Sequence, residues 1–240
     1  MKLSISASLL IFSISAAQVT KLPLMKTVHA IAFLKKHLPL NPIIVEAGAF
    51  EGQDSIKLAQ TWPKAAIYSF EPVPQIFERL QNQTKSFPQI TCYQLALGTK
   101  SGTANFITSE EPKKPDIPSM SGSLRMPKEH LNHSKTLFKK SITVNTITLD
   151  EWAQKNNINK IDLLWLDTQG TELDILRASP LILKNIGVIY TEVEFVEAYE
   201  GQALYADVKN FLENNGFQMI ARDFDEPARY WFGNAVFIKQ

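Results

Sequence analysis

The 240-residue chain is 45% hydrophobic and 20% charged, the balance of one soluble globular domain with a core of its own. Twenty-five basic residues against 24 acidic ones leave a formal net charge of +1, and no basic tract stands out, so electrostatic binding of nucleic acid is not expected. Cys92 is the only cysteine, which excludes an intramolecular disulfide and a cysteine zinc cluster, and its apolar surroundings mark it as a core thiol.

Lys2 is followed by an uncharged run from Leu3 to Ala17 that ends in Ser15-Ala16-Ala17, a small-residue sequence of the kind a signal peptidase cuts. The run is shorter than the ~20 apolar residues a spanning helix needs, so no stable membrane span is expected. Residues 1–17 are read as a signal peptide or as an apolar N-terminal segment, and residues 18–240 as the domain. Residues 26–38 place Val28, Ile31, Ala32 and Leu34 on one helical side before Pro39 and Pro42 end the element.

From Ile43 short apolar runs alternate with amphipathic helices, the pattern of βαβ units and a mainly parallel sheet. Strands are expected at 43–47, 65–70 and 90–95, with helices at 53–60 and 74–85 between them. Gly98 to Gly102 reads as a turn that starts an extra hairpin. Residues 109–140, rich in proline and lysine and without a clear period, are expected to form an insertion or lid over a site. Order returns with the alternating run 142–147, a helix at 149–154, a strand at 161–166 and a helix from about Thr171. A strand at 188–193, a helix at 203–214 and strands near 217–222 and 230–238 complete the chain.

The strongest local signal is Ile43-Ile-Val-Glu-Ala-Gly-Ala-Phe-Glu-Gly52, an apolar strand running through Glu46 into a glycine turn and then a helix. Gly48 and Gly52 would let the backbone turn tightly and approach a ligand. A pyrophosphate loop should avoid carboxylates, because its ligand is anionic. Glu46, Glu51 and Asp54 crowd this loop, and the third glycine of the dinucleotide fingerprint is absent. S-adenosyl-L-methionine carries a sulfonium and an ammonium and suits an acidic loop better than NAD does. The second strand ends in Phe70-Glu71-Pro72, which puts Glu71 one βα unit after Glu46, where a carboxylate can accept both ribose hydroxyl protons of an adenosine.

The blocks Val45–Gly52, Phe70-Glu-Pro72, Gln94-Leu-Ala-Leu-Gly98, Thr146–Asp150, Ile161–Leu176, Thr191-Glu-Val193 and Tyr199-Glu-Gly-Gln202 occur in an order and spacing that resembles the FkbM family of class I methyltransferases, over roughly residues 40–220. The resemblance implies a Rossmann-like three-layer α/β/α fold, its seven-stranded sheet mostly parallel with the last strand antiparallel. It implies that Glu46, Gly48, Ala49 and Gly52 form the first donor motif and that Glu71, followed by Pro72, holds the ribose. Ala96 and Leu97 would face the adenine, and Asp167 would sit where the donor's methionine part meets the acceptor. One departure is Gln169, where the family usually has an acidic residue; an amide cannot act as a base or a charged metal ligand, and no metal site is expected.

Methyl transfer needs mainly alignment, plus a base when the acceptor is a hydroxyl. Asp167 is the preferred base, with Glu192 and Glu194 behind it on one face of their strand. Glu172 and Asp174 read as favourable charges in a helix's first turn. His130 and His133 read as exposed histidines of the insertion, and Tyr199 and Tyr205 as acceptor-pocket or final-helix residues. The expected activity is O-methylation of a hydroxyl on a sugar or other small-molecule acceptor. An NAD-dependent oxidoreductase and a non-catalytic module with a degenerate donor site are the alternatives. Use of a cytosolic methyl donor favours the cytoplasm, whereas residues 1–17 would favour export or membrane association.

Overall fold

The computed structural model describes residues 24, 30–225 and 229–240. The apolar segment 1–17 lies outside the described residues, as does the start of the 26–38 helix, whose later part is α1 (Ala30–Leu34). Among the described residues no helix is long and apolar enough to cross a membrane.

The first half alternates as its sequence pattern requires: β1 (Ile43–Ala47), α2 (Gln53–Thr61), β2 (Ala66–Phe70), α3 (Pro74–Thr84) and β3 (Ile90–Tyr93). Pro74 opens α3 without loss, since the first-turn N–H it lacks has no helical partner. The second half supplies α5 (Leu149–Lys155), β8 (Ile161–Leu166), α6 (Glu172–Arg177), β9 (Ile186–Glu194), α7 (Tyr205–Asn214), β10 (Phe217–Arg222) and β11 (Phe232–Lys239). Between the halves lie β4 (Ala96–Leu97), β5 (Gly102–Glu111), β6 (Lys114–Pro118), α4 (His130–His133) and β7 (Leu137–Ile147).

Seven strands form one sheet in the order β10-β11-β9-β8-β1-β2-β3. The last strand, β11, runs antiparallel to both of its neighbours, and the β1, β2, β3, β8 and β9 pairings are parallel. All six residues of β8 are buried, because helices cover both sheet faces. Strand alternation then divides adjacent leucines between two cores. Leu164 packs with Val45, Ile189, Leu176 and Trp152, and Leu163 with Ile44, Ile67, Val188 and Leu58.

The segment 109–140 departs from expectation, because much of it is regular. Strand β5 continues through Glu111, turns back as β6, and pairs antiparallel with β7 from Gly102↔Thr146 out to Glu110↔Leu137. These strands, with β4, form a second sheet in the order β4-β7-β5-β6. Its prolines obscured the strands in the sequence, yet they sit where a missing donor costs little, Pro112 between β5 and β6 and Pro118 on edge strand β6.

The ends of β1, β2 and β8 are tied together. The Gly48 and Ala49 N–H groups donate to the Phe70 carbonyl at 3.1 and 2.9 Å, and the Asp167 N–H donates to the Ala47 carbonyl at 3.1 Å. Gly48 has φ +86°, and a Cβ there would stand 1.8 Å from the Asp167 carbonyl oxygen. Gly48→Ala is therefore expected to destabilise the domain by at least ~3 kcal/mol through backbone strain and displacement of β8. Urea unfolding would measure it, and unchanged stability would refute the contact.

Candidate active site

A cavity of about 870 Å³ opens at the carboxyl ends of β1, β2 and β8, where the strand order reverses direction across β1. Its floor is Glu46 to Phe50, Glu71 to Pro74 and Asp167 to Gln169, and its roof is the small sheet, through Phe106, Thr108, Lys140 and Ile142. Leu95, Ala96, Leu97, Val73 and Ile76 give one side an apolar lining.

Glu46 lies at the end of β1 and is buried. Its Oε2 accepts hydrogen bonds from Ser55 Oγ of α2 and, at 2.8 Å, from Ser69 Oγ of β2. Burial raises its carboxyl to about 7 against the opposing pull of the two serines. Ala49 and Gly48 line the cavity beside it. Gly52 does not; a Cβ there would meet Leu80 Cδ1 at 2.8 Å and Thr84 Cγ2 at 3.0 Å, so its glycine serves the fit of α3 rather than approach to a ligand. Glu71 ends β2 and is only 5% exposed. Its Oε1 accepts the Val73 N–H at 2.8 Å, and burial pushes it to about 8. Pro72, Ala96 and Leu97 also line the cavity.

Asp167, at the end of β8, is the one of the three candidate bases that lines the cavity. Gln169 holds it. The Gln169 backbone is left-handed, φ +56°, and its Nε2 donates to Asp167 Oδ1 and to Glu192 Oε2, each at 2.8 Å. Its Oε1 accepts the Tyr199 hydroxyl at 2.8 Å, and its carbonyl accepts Ser123 Oγ at 2.7 Å. Burial raises Asp167, and the Gln169 amide opposes that rise. Glu192 and Glu194, by contrast, lie outside the cavity wall, buried on β9 and pushed well up by burial and neighbouring carboxylates.

Three residues have roles the sequence did not reveal. Glu172 is buried rather than a solvated helix-start charge: it accepts the Thr168 N–H at 2.6 Å, the Thr168 hydroxyl at 2.9 Å and the Gly170 N–H at 3.0 Å, bracing the loop after Asp167. Asp174 pairs with Arg125, whose guanidinium also donates to the Glu200 carbonyl, fastening the roof segment to α6. His130 is not exposed but 2% accessible, its ring against Phe138, Tyr199 and Trp231, while His133 stacks on Trp231. Only the spacing Asp167-x-Gln169-x-x-Glu172 hinted at the loop brace. Tyr199 bridges Gln169 and the Ser121 carbonyl outside the cavity lining, and Tyr205 packs on Phe195 and Phe224. Trp152 is in the core, whereas Cys92, expected to be a core thiol, is only half-buried, with its thiol 3.4 Å from Thr84 Oγ1.

A sequence profile described as Methyltransferase FkbM domain matches residues 46–219, from the acidic end of β1 to β10. The chain belongs to the FkbM methyltransferase family. This methyltransferase is 30% identical over 183 residues to the 2-O-methyltransferase NoeI of Sinorhizobium fredii, covering 76% of this chain and 74% of that one. It is 24% identical over 131 residues to the hexuronic acid methyltransferase AglP of Haloferax volcanii, covering 54% and 48% of the two chains. Among solved structures, the FkbM methyltransferase of Methylobacillus flagellatus superposes with a TM-score of 0.51 at 12% identity, over 83% of this chain and 44% of that one. A fibrillarin of Methanococcus jannaschii gives 0.51 at 16% identity, over 89% and 75%. The enzyme is thus an S-adenosylmethionine-dependent methyltransferase on the class I fold, and the oxidoreductase and non-catalytic readings fall away.

Because the methyltransferase raises Glu46 from 4.5 to about 7 and Glu71 from 4.5 to about 8, the stabilisation that comes from burying them neutral is complete below pH 4.5 and is lost as pH rises through 7 and 8. The melting temperature of the ligand-free enzyme is expected to fall between pH 4.5 and about pH 8 and to level off above that, and Glu71→Gln should make the fall smaller and end it nearer pH 7. Scanning calorimetry across the range would check it, and a flat wild-type profile would contradict the assigned burial.

Proposed function

We propose that the enzyme methylates a hydroxyl oxygen of a sugar or similar small acceptor, and that Asp167 orients that hydroxyl and takes its proton. The observation that carries the reading is Asp167 on the cavity wall, held by the Gln169 amide beside an acidic donor loop. When bound, S-adenosylmethionine supplies an electrophilic methyl carbon with a neutral thioether as leaving group. The residues present fit it. Glu71 is a buried carboxylate on the cavity wall, suited to accept the two ribose hydroxyls, and Leu95, Ala96 and Leu97 offer an apolar surface for the adenine. Glu46 and Asp167 lie on the cavity wall with carboxyls that burial raises, and the sulfonium and ammonium of a bound donor would draw them toward their ionised forms.

Asp167 needs only to accept a proton as the acceptor oxygen gains its new bond to carbon, and the Gln169 amide favours the ionised form in which it can do so. Glu192 contributes through the same amide rather than by reaching the cavity. The oxygen acceptor is supported by the two relatives named for O-methylation and for a hexuronic acid. A net charge of +1 without a basic tract supports a small acceptor over nucleic acid. Residues 18–240 act as one catalytic domain on this reading, and use of a cytosolic donor supports a cytoplasmic place of action.

Incubating cell extracts with isotope-labelled donor and following the label by mass spectrometry is expected to show it on a hydroxyl oxygen of a carbohydrate. Label on nitrogen, carbon or a nucleic acid would sink the proposal. Glu71→Ala is expected to weaken S-adenosylhomocysteine binding about 10- to 100-fold by calorimetry, the loss of charge-assisted hydrogen bonds. Asp167→Asn should lower turnover by roughly 10²- to 10⁴-fold while donor affinity stays within a few-fold; a parallel fall in both would place Asp167 in donor binding instead.

A further inference from the structure

The roof of the cavity carries a charge that the donor half does not explain. Strand β7 turns its even-numbered residues inward: Val144 and Thr146 are buried, and Phe138 and Ile142 are partly so. Lys140 continues this stripe as an exposed residue beside a register shift and lines the cavity. Strand β5 matches it, with Phe106 opposite Ile142 and Thr108 opposite Lys140. Two cations line the cavity among the described residues, Lys57 and Lys140. Lys57 is paired with Asp54 at 2.7 Å, whereas among the described residues no carboxylate pairs with Lys140. The nearby acid Glu110 is already joined to Lys139 at 2.7 Å.

The position of Lys140 relative to Asp167 follows through printed contacts. Gln169 receives the Ser123 hydroxyl, and Ser123 is bridged to Ile107 of β5. Gly122, beside it, fits only because it lacks a side chain, since a Cβ would stand 2.7 Å from Phe106 Cε1. Phe106 and Ile142 thus lie next to the catalytic loop, and Lys140 lies one two-residue step farther out, about 7 Å along the strand. The cavity therefore runs from carboxyl groups at Glu46, Glu71 and Asp167, across an apolar platform, to the Lys140 ammonium, on a side that also carries Glu110 with its charge engaged by Lys139.

We propose that Lys140 binds an anionic group on the acceptor, so that the substrate is an acidic sugar bearing a carboxylate or a sulfate. This rests on the sugar O-methylation reading of the same cavity. The acidic floor repels such an anion and Lys140 attracts it, so the acceptor is turned with its charge outward and a hydroxyl toward Asp167. Phe106 and Ile142 offer an apolar surface to the C–H face of the ring between the two ends.

The test uses the full-length enzyme loaded with S-adenosylhomocysteine and titrated with methyl β-glucuronide, glucose 6-sulfate and the neutral methyl β-glucoside, followed by saturation-transfer NMR. At least one of the two acidic sugars is expected to bind about two- to fivefold more tightly than the glucoside, the size of an exposed charge pair. Which of them does so separates a carboxylate acceptor from a sulfated one. Lys140→Gln should abolish the preference while leaving S-adenosylhomocysteine affinity unchanged. Equal binding of acidic and neutral sugars, no binding of any, or a preference that survives Lys140→Gln would overturn the proposal. Failure of wild-type enzyme to bind S-adenosylhomocysteine would instead overturn the donor-site reading on which it rests.

Discussion

The carbonyl of Asp167 stands where a side chain on residue 48 would be. That contact brings the ends of β1 and β8 closer together than any residue with a Cβ allows, while Gly48 and Ala49 bond to the end of β2. Three strand ends thus converge on one point at the reversal of strand order, which is where an open α/β sheet leaves a crevice. Glu46, Glu71 and Asp167, one from each strand, meet there because the backbone is gathered in this way. The acidic character of the donor site is a consequence of sheet geometry as much as of residue choice.

Gathering carboxylates in a buried place has an electrostatic cost, and the structure offsets it with neutral donors. Ser55 and Ser69 serve Glu46, backbone amides serve Glu71 and Glu172, and Gln169 serves Asp167 and Glu192 at once. Gln169 is the telling case. A glutamate there could donate to at most one carboxylate, and only when protonated, whereas the amide NH2 donates to both at any pH. Tyr199 donates to the Gln169 oxygen, which fixes which end of the amide faces the acids. The Gln169 amide therefore fixes the orientation of Asp167 and opposes the rise that burial imposes on its carboxyl.

The small sheet completes the site from above. Its attachment does not rely on one contact: Ser123 bonds the Gln169 carbonyl, Tyr199 bonds the Ser121 carbonyl, and Arg125 pairs with Asp174. Buried His130 wedges among Phe138, Tyr199 and Trp231 behind that seam. The cavity roof is thereby tied to the same loop that carries Asp167.

The sequence alone determined the alternation of strands and helices, the parallel sheet and the places of Glu46, Glu71 and Asp167, because these rest on local periodicity and on short strand–loop–helix units. It also marked Gln169 as unusual. It did not disclose that both ends of 109–140 belong to a second sheet, since prolines and lysines hide strands whose β5–β7 partners lie about thirty residues away. It ranked Asp167 ahead of Glu192 and Glu194 but could not show that those two lie off the cavity wall, that Gly52 fits α3, that Glu172 braces a loop and that His130 is buried. Those distinctions depend on which side chains the closed sheet brings within 3 Å of one another, and only the tertiary structure decides that.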